Sequence, residues 1–498
     1  MDKINHSNKI ENFFIKQLII CIIFWSLSIL FESLYFSYLS SVYGIFISSY
    51  FFYKILNNNS EIIRFLSIGC ATLIFVTNIG WIYSGYYTYE IYKLNIFENL
   101  NFNLNLDPIN YMISIIYILF FSISILIFSK NNKLKNYEVN IYNEIIKLKK
   151  ITISKLNIIF TCSILIELYL INQELFKYRS VGIDGYTWYV ELTLILIYFH
   201  AGLIGLGLNK IFNGERSKSL LLSTVISVLI LSFIFFTKGR TNFGILFFYI
   251  FFWYCLFNFK TPKIKYIIMI LIISTPFFSS AFQYFNFLRS DIVYSKSGDL
   301  KGKENFLSTS INYLRIWKLD EVRNIEKYRT RKNLSSRPLL AEPLARSIQL
   351  DSSEKTYGFG RISFNNLIWA VPRLILPNKE IIAPENESYI YNYMPIHDKS
   401  IDTHDSLYWY SYAEFSYFGL IIFPFLLFLY WKLIAQIISS RYFKSIALML
   451  VLTYFLKFFV MYFFTSTMIT WYIGLRNFFI FIPVILLIQK LIGKIEKA

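Results

Sequence analysis

Cysteine is scarce in this 498-residue chain: Cys21, Cys70, Cys162 and Cys255 all fall inside apolar runs, and none has C-x-x-C spacing. That excludes a disulfide framework and a structural zinc site. Histidine is equally scarce at four residues, and the pairs His397-Asp398 and His404-Asp405 fit no standard zinc spacing, so no metal is expected. Proline is thin outside one region. Six of the eleven prolines (Pro338, Pro343, Pro372, Pro377, Pro384 and Pro395) lie between residues 285 and 410. Acidic residues number 31 against 49 basic ones, a formal charge of +18. In a soluble chain that excess suggests nucleic acid, but cytoplasmic loops of membrane proteins also collect Lys and Arg, and no nucleic-acid partner is expected here. No internal repeat is visible, which disfavours transporters built from inverted repeats. No cleavage site of small residues follows the first apolar run, which reads as a retained helix rather than a signal peptide.

What fills the chain instead is apolar runs. Hydrophobic residues make up 55% and aromatic residues 20%, more apolar surface than one soluble core can bury. A helix crossing a bilayer needs about 20 apolar residues. Runs of that kind lie near 13–31, 34–56, 62–85, 109–128, 153–171, 188–208, 219–237, 242–259, 264–285, 410–434, 443–464 and 468–490. The expected fold is an all-α polytopic membrane protein with about twelve transmembrane helices. Nine would lie in residues 1–285 and three in 410–498, with a large extracytoplasmic loop over 286–409 that contains short amphipathic helices.

Loop charges choose an orientation. With the N-terminus inside, alternate segments carry Lys3, Lys9 and Lys16; Lys54 and Arg64; Lys130, Lys133, Lys135, Lys147, Lys149 and Lys150; Lys210, Arg216 and Lys218; Lys260, Lys263 and Lys265; Lys432, Arg441 and Lys444; and Lys490, Lys494 and Lys497. The short loops between them are mixed or acidic, with Glu32, Glu90, Glu98, Asp107, Glu174 and Asp184 among their residues. The positive-inside rule then predicts cytoplasmic termini and an outside position for 286–409.

The informative charges are those this rule does not account for. An ionisable group in lipid costs about 2.5–3.5 kcal/mol even on a lenient scale. Lys238, Gly239 and Arg240 form the whole turn between two helices on the outer side. Arg476 lies about two turns inside the last run, Lys457 about two turns below the outer end of the run before it, and Glu167 and Glu191 near the outer ends of theirs. Such groups can converge on one outer-leaflet site, or each can snorkel or pair privately. For Lys457 and Glu167 both readings stand. Arg289, Arg361 and Arg373 are candidates from 286–409, and Pro372 and Pro377 stiffen the backbone around Arg373.

Guanidinium groups bind phosphate oxygens bidentately and stay charged, so an Arg-rich site at this depth suits a lipid diphosphate. Fixed cations also stabilise the charge that builds on a departing diphosphate. His404 sits between Asp402 and Asp405 just before an apolar run. A carboxylate there orients an imidazole to bind or deprotonate a sugar hydroxyl, while the plainer reading is a polar surface turn. His200, deep in an apolar run, reads as a packed core residue. Tyr408, Trp409, Tyr410, Tyr412 and Tyr417 read first as interfacial anchors and second as platforms for sugar rings.

Two patches carry a family resemblance. Thr403-His404-Asp405-Ser406-Leu407, followed by Glu414 and Gly419, resembles the His-Asn-x-x-Leu, Glu, Gly pattern that closes the large outer loop of O-antigen polymerases and ligases. Asp405 stands where that pattern has Asn. Thr237-Lys238-Gly239-Arg240 is similar to their small-Gly-Arg turn between mid-chain helices. With the predicted topology, the chain resembles Wzy-type O-antigen or oligosaccharide repeat-unit polymerases, which are broadly similar to GT-C glycosyltransferases. The resemblance implies a bacterial inner-membrane enzyme with its large loop in the periplasm. It would transfer a growing chain from undecaprenyl diphosphate to the next lipid-linked oligosaccharide unit, with no cofactor and with a chain-length regulator as a further partner. It implies His404, Asp405 and Glu414 as catalytic candidates, and Lys238, Arg240, Arg289, Arg361, Arg373, Lys457 and Arg476 as substrate-binding ones. An O-antigen ligase and a lipid-linked oligosaccharide flippase are the alternatives; a loop of this size on one face argues against the flippase.

Overall fold

A computed structural model describes residues 2–56, 62, 64–94, 108–172, 188–215, 217–238, 240–258, 341–350, 352–372, 375–382, 390, 393–395, 406–440, 443, 445–459 and 468–497. Among these residues the secondary structure is helical throughout, with no strand. The helices are α1 (Asp2–Leu30), α2 (Leu34–Leu56), α3 (Phe65–Leu94), α4 (Pro108–Ser129), α5 (Asn132–Ile146), α6 (Ile153–Asn172), α7 (Trp188–Phe212), α8 (Lys218–Lys238) and α9 (Arg240–Asn258). Then come three short helices, α10 (Glu342–Gln349), α11 (Arg361–Ala370) and α12 (Lys379–Ile382), followed by α13 (Leu407–Phe415), α14 (Gly419–Ile438), α15 (Ser445–Lys457) and α16 (Met468–Lys497).

Six stretches among the described residues are long and apolar enough to cross a membrane: Ser7–Leu30, Tyr35–Leu56, Phe65–Ile82, Ile109–Ser129, Leu407–Ile438 and Thr470–Leu487. Four shorter apolar helices, Leu196–Phe212, Lys218–Ser232, Phe248–Phe257 and Ile446–Lys457, fall on other predicted runs. The run at 264–285, Arg289 and most of the predicted loop before residue 341 lie outside the described residues. The run at 410–434 differs from its prediction as one helix. α13 ends at Ser416, whose φ of 53° breaks the helix, and after a single 3-10 turn α14 begins at Gly419.

Helices α1 to α4 pack as one group and α6 to α9 as another, while α14 lies along α4 and α15 along α7. The first group closes on small side chains of α2. Ser37, Ser40, Ser41, Gly44 and Ser48 are buried, and a Cβ on Gly44 would meet the Asn78 side chain at 2.6 Å. Without a hydrophobic drive between helices in lipid, close backbone approach and interhelical hydrogen bonds supply the cohesion. Trp81 Nε1 donates to Ser37 Oγ at 3.0 Å, and Ser28 and Ser40 pair at 3.3 Å. On the opposite side Tyr35, Leu39, Val42 and Phe46 are exposed, as a lipid-facing surface requires.

Helix α5 is different: it is amphipathic, is capped by the Asn131 side chain on the N–H groups of Lys133 and Leu134, and meets α6 at a bend of 103°. It carries a buried charge cluster. Lys135 Nζ donates to Glu11 Oε2 at 2.6 Å, Asn8 Oδ1 at 2.7 Å and Ser7 Oγ at 2.9 Å. Glu138 accepts from Trp431 Nε1 of α14 at 2.9 Å, and Ser67 donates to the other Glu11 oxygen. Buried Arg64 is attracted to both Glu11 and Glu138. Lys135 and Arg64 thus belong to a buried charge cluster shared by α1, α5 and α14 at the start of α3.

Candidate functional site

Short helix α11 is the piece at which three of the sequence-predicted residues, Arg361, Glu414 and Arg476, come together. It starts at an awkward turn: Phe359 and Gly360 both have positive φ, 45° and 94°. Gly360 occupies the cap position and has no side chain to satisfy the first N–H groups. Glu414 of α13 takes that role from across the fold. Fully buried, its Oε2 accepts from Gly360 N–H at 2.6 Å and its Oε1 from Ser363 N–H. The approach is secured by Gly358 N–H to Ala413 O at 3.0 Å and Phe359 N–H to Glu414 O at 2.9 Å. A Cβ on Gly358 would lie 2.5 Å from the Glu414 carboxylate, so only glycine leaves room for it.

The other end of α11 is held by cations. Lys379 Nζ donates to Trp369 O at 2.7 Å and Val371 O at 3.1 Å, and Arg476 Nη1 of α16 donates to Ala370 O at 2.9 Å. Three successive carbonyls are therefore engaged by two positive side chains. An anion at the N-terminus and cations at the C-terminus both complement the helix dipole. Arg476 Nε also donates to Asn477 Oδ1 at 3.0 Å. Ala370, whose carbonyl the guanidinium engages, precedes Arg373 by three residues in sequence; Arg373 itself lies outside the described residues.

α13 is equally fixed. Tyr408, Trp409, Tyr410 and Tyr412 are buried, so they serve neither as lipid anchors nor as open sugar platforms; Tyr417 alone of that set is exposed. Trp409 Nε1 donates to Ser347 Oγ of α10 at 2.8 Å, and Tyr117 of α4 hydrogen-bonds Ser411 Oγ at 2.7 Å. Gly419 lets α14 start against the back of this helix: a Cβ there would fall 2.1 Å from Ser411 O and 2.5 Å from its carbonyl carbon. Backbone cannot rotate away as a side chain can. Gly419→Ala is accordingly expected to cost about 1–3 kcal/mol, read as a lowered thermal midpoint of the purified protein.

Between the two held ends, the outer side of α11 borders an open groove of about 320 Å³ lined by Phe359, Gly360, Arg361, Phe364, Asn365, Ile368 and Ile382. Phe359, Phe364 and Ile382 are solvent- or lipid-exposed, and so is Arg361. Arg361 makes no ion pair among the described residues and sits in the first turn, where the dipole disfavours a cation. Its position is unexplained by the stability of α11.

The other candidates are distributed as follows. Lys238 ends α8 and Arg240 begins α9; Gly239 between them lies outside the described residues, as do the side chains of both. His404 and Asp405 also lie outside it, directly before Ser406, whose hydroxyl caps α13 on Trp409 N–H. Lys457 ends α15 buried, with Nζ 5.8 Å from the centre of the Tyr198 ring. Glu167 pairs privately with His200, at 2.8 Å. No group of three or more metal-ligating side chains occurs among the described residues. Sequence reading allows Glu414 to cap its own helix but misses Gly358, Lys379 and that the capped helix is α11; the closely spaced Gly358 and Gly360 were the available signal. No protein-family model, curated protein or solved structure matches this chain.

Proposed function

We propose that this chain is a membrane glycosyltransferase of the Wzy type that polymerises undecaprenyl-diphosphate-linked oligosaccharide units at the outer face of a bacterial inner membrane. The observation that carries the reading is Arg361: an exposed guanidinium without an ion-pair partner among the described residues, at the rim of a groove of mixed polarity with Phe359, Phe364 and Ile382 among its walls, on a helix fixed at both ends. Such a pairing of cation and apolar wall fits an anionic amphiphile, with the diphosphate on the cation and the first isoprene units against Phe359, Phe364 and Ile382. Preorganisation of the helix bearing the cation is what transition-state stabilisation needs. Arg240, Arg289, Arg373 and Lys238 are proposed as further diphosphate ligands, and His404 with Asp405 as the group that positions or activates the acceptor hydroxyl. Arg476 and Glu414 enter as positioning residues, because Arg476 donates to Ala370 O and Glu414 accepts from the Gly360 and Ser363 N–H groups of α11.

The test is surface polysaccharide from a strain lacking the gene, with its lipid-linked pool. A core capped by single repeat units, without a ladder, supports polymerisation. Long lipid-linked chains left outside would replace it with a ligase, and single units trapped inside with a flippase. Restoring the gene as Arg361→Ala is expected to cut polymer yield by about 10- to 100-fold, the worth of a lost charge-assisted contact of about 1.5–3 kcal/mol, and Arg361→Lys to recover part of it.

A further inference from the structure

Away from α11, three polar side chains meet inside the second helix group. Glu167 (α6), His200 (α7) and Ser227 (α8) form a chain: His200 Nδ1 is 2.8 Å from Glu167 Oε1, and His200 Nε2 is 2.8 Å from Ser227 Oγ. Each is at most 1% exposed. The Phe160 ring stands 5.8 Å from the imidazole, and the outward side chains on either flank, Leu165, Ile166 and Leu168 of α6 and Val225, Ile226 and Leu229 of α8, are apolar. The second carboxylate oxygen, Glu167 Oε2, is buried with no hydrogen-bond partner among the described residues. An anionic oxygen left in such surroundings is costly, and polar groups at apolar depth mark ion or proton sites.

We propose that Glu167, His200 and Ser227 form an intramembrane binding site for one exchangeable proton. The heavy-atom positions suit two hydrogen-bond polarities. Without the proton, Nδ1–H donates to the Glu167 carboxylate and Ser227 O–H donates to Nε2. Uptake places the incoming proton on Nε2, which then donates to Ser227 Oγ, while the Nδ1 proton moves to Glu167 Oε1 and is donated back to Nδ1. Net charge goes from −1 to 0, and Oε2 becomes a neutral carbonyl oxygen. The loaded state is the one that apolar surroundings favour.

Among the described residues, the neighbouring titratable groups lie as follows. On α6, Lys155 lies twelve residues away, and Cys162 and Tyr169 are exposed. On α8, Lys218 lies nine residues from Ser227. Lys457 of α15 and Tyr249 of α9 address Tyr198, about 200° round α7 from His200. Lys210 pairs with Glu215 at 2.8 Å, Tyr254 of α9 lies against Phe212, and Tyr454 of α15 donates to Gly474 O. On α16, Tyr472 turns to Ser363 and Arg476 to Ala370.

The site is independent of the polymerase reading. Its test is infrared difference spectroscopy of the full chain in lipid vesicles between acid and alkaline pH. The expected result is a protonated-carboxyl band with a single-proton midpoint, absent from Glu167→Gln, and a midpoint moved by about one pH unit, a tenfold change in proton affinity, in His200→Gln. A carboxyl band that is the same in Glu167→Gln, or does not change with pH, overturns the site. If Glu167→Gln does not fold, carbodiimide labelling of the unmodified chain decides. The reagent needs a protonated carboxyl, so a Glu167 adduct that forms faster at acid pH supports the site and one indifferent to pH overturns it.

Discussion

Glu414→Ala is expected to lower stability by about 3 kcal/mol, because it strands the Gly360 and Ser363 N–H groups at the start of α11 without an acceptor. Each unmade buried hydrogen bond costs about 1–3 kcal/mol, and these two are made to a carboxylate, the stronger kind of acceptor. Glu414→Gln should lose about half as much: one oxygen remains, but the amide turns an N–H toward an N–H. Activity should fall with the folded fraction in both variants. A catalytic carboxylate predicts another pattern, with Glu414→Gln as stable as the parent and inactive. Thermal midpoints measured beside polymer yield separate the two. The same geometry ties Gly358 to Glu414, since an added Cβ would press on Oε2 at 2.5 Å. Gly358→Ala combined with Glu414→Ala should therefore cost less than the two single changes added together.

That result would also explain why a short motif can be legible without its role being so. Leu407, Glu414 and Gly419 stand out in the sequence as parts of a spaced pattern. Their spacing does not say that Glu414 caps a helix more than 40 residues upstream, or that Gly419 lies under a backbone carbonyl. Both facts depend on which distant segments meet. Helix limits are a different kind of information. α2 spans Leu34–Leu56, the limits of its apolar run, and α8 ends at Lys238 and α9 begins at Arg240, close to the ends of theirs, because run length acts within a few residues.

A sum of charges along a segment does not say which of its residues is buried. By sequence Lys135 is one more basic residue beside Lys130 and Lys133, yet it is buried against Glu11, while Lys133 merely borders the Asn131 cap. His200 was read as packed core; burial agrees, but packing is only half of its environment, and the Glu167 and Ser227 contacts come from two other helices. The aromatic cluster at 408–412 fits the composition of an interface, while its burial under α10, α4 and α14 is set by tertiary contacts.

The second large effect is expected at that lysine. Lys135→Ala should destabilise the chain by about 3–5 kcal/mol, since it leaves Glu11 buried with its principal counter-charge removed and empties the donor positions facing Ser7 and Asn8. Arg64 is attracted to Glu11 and recovers only part of the loss, because it is shared with Glu138. The cost belongs to the stranded carboxylate rather than to the ion pair as such, which gives a sharp check. Replacing both partners, Lys135→Met with Glu11→Leu, removes the two buried charges together and should come within about 1 kcal/mol of the parent. Thermal unfolding of the single and double variants measures both values. A double variant as unstable as Lys135→Ala would show that the cluster is needed as charge, and α5 would then be held to α1 and α14 by electrostatics rather than by shape. The expected rescue would show the opposite. The contacts among α1, α3, α5 and α14 would then suffice, with the cluster fixing which faces meet.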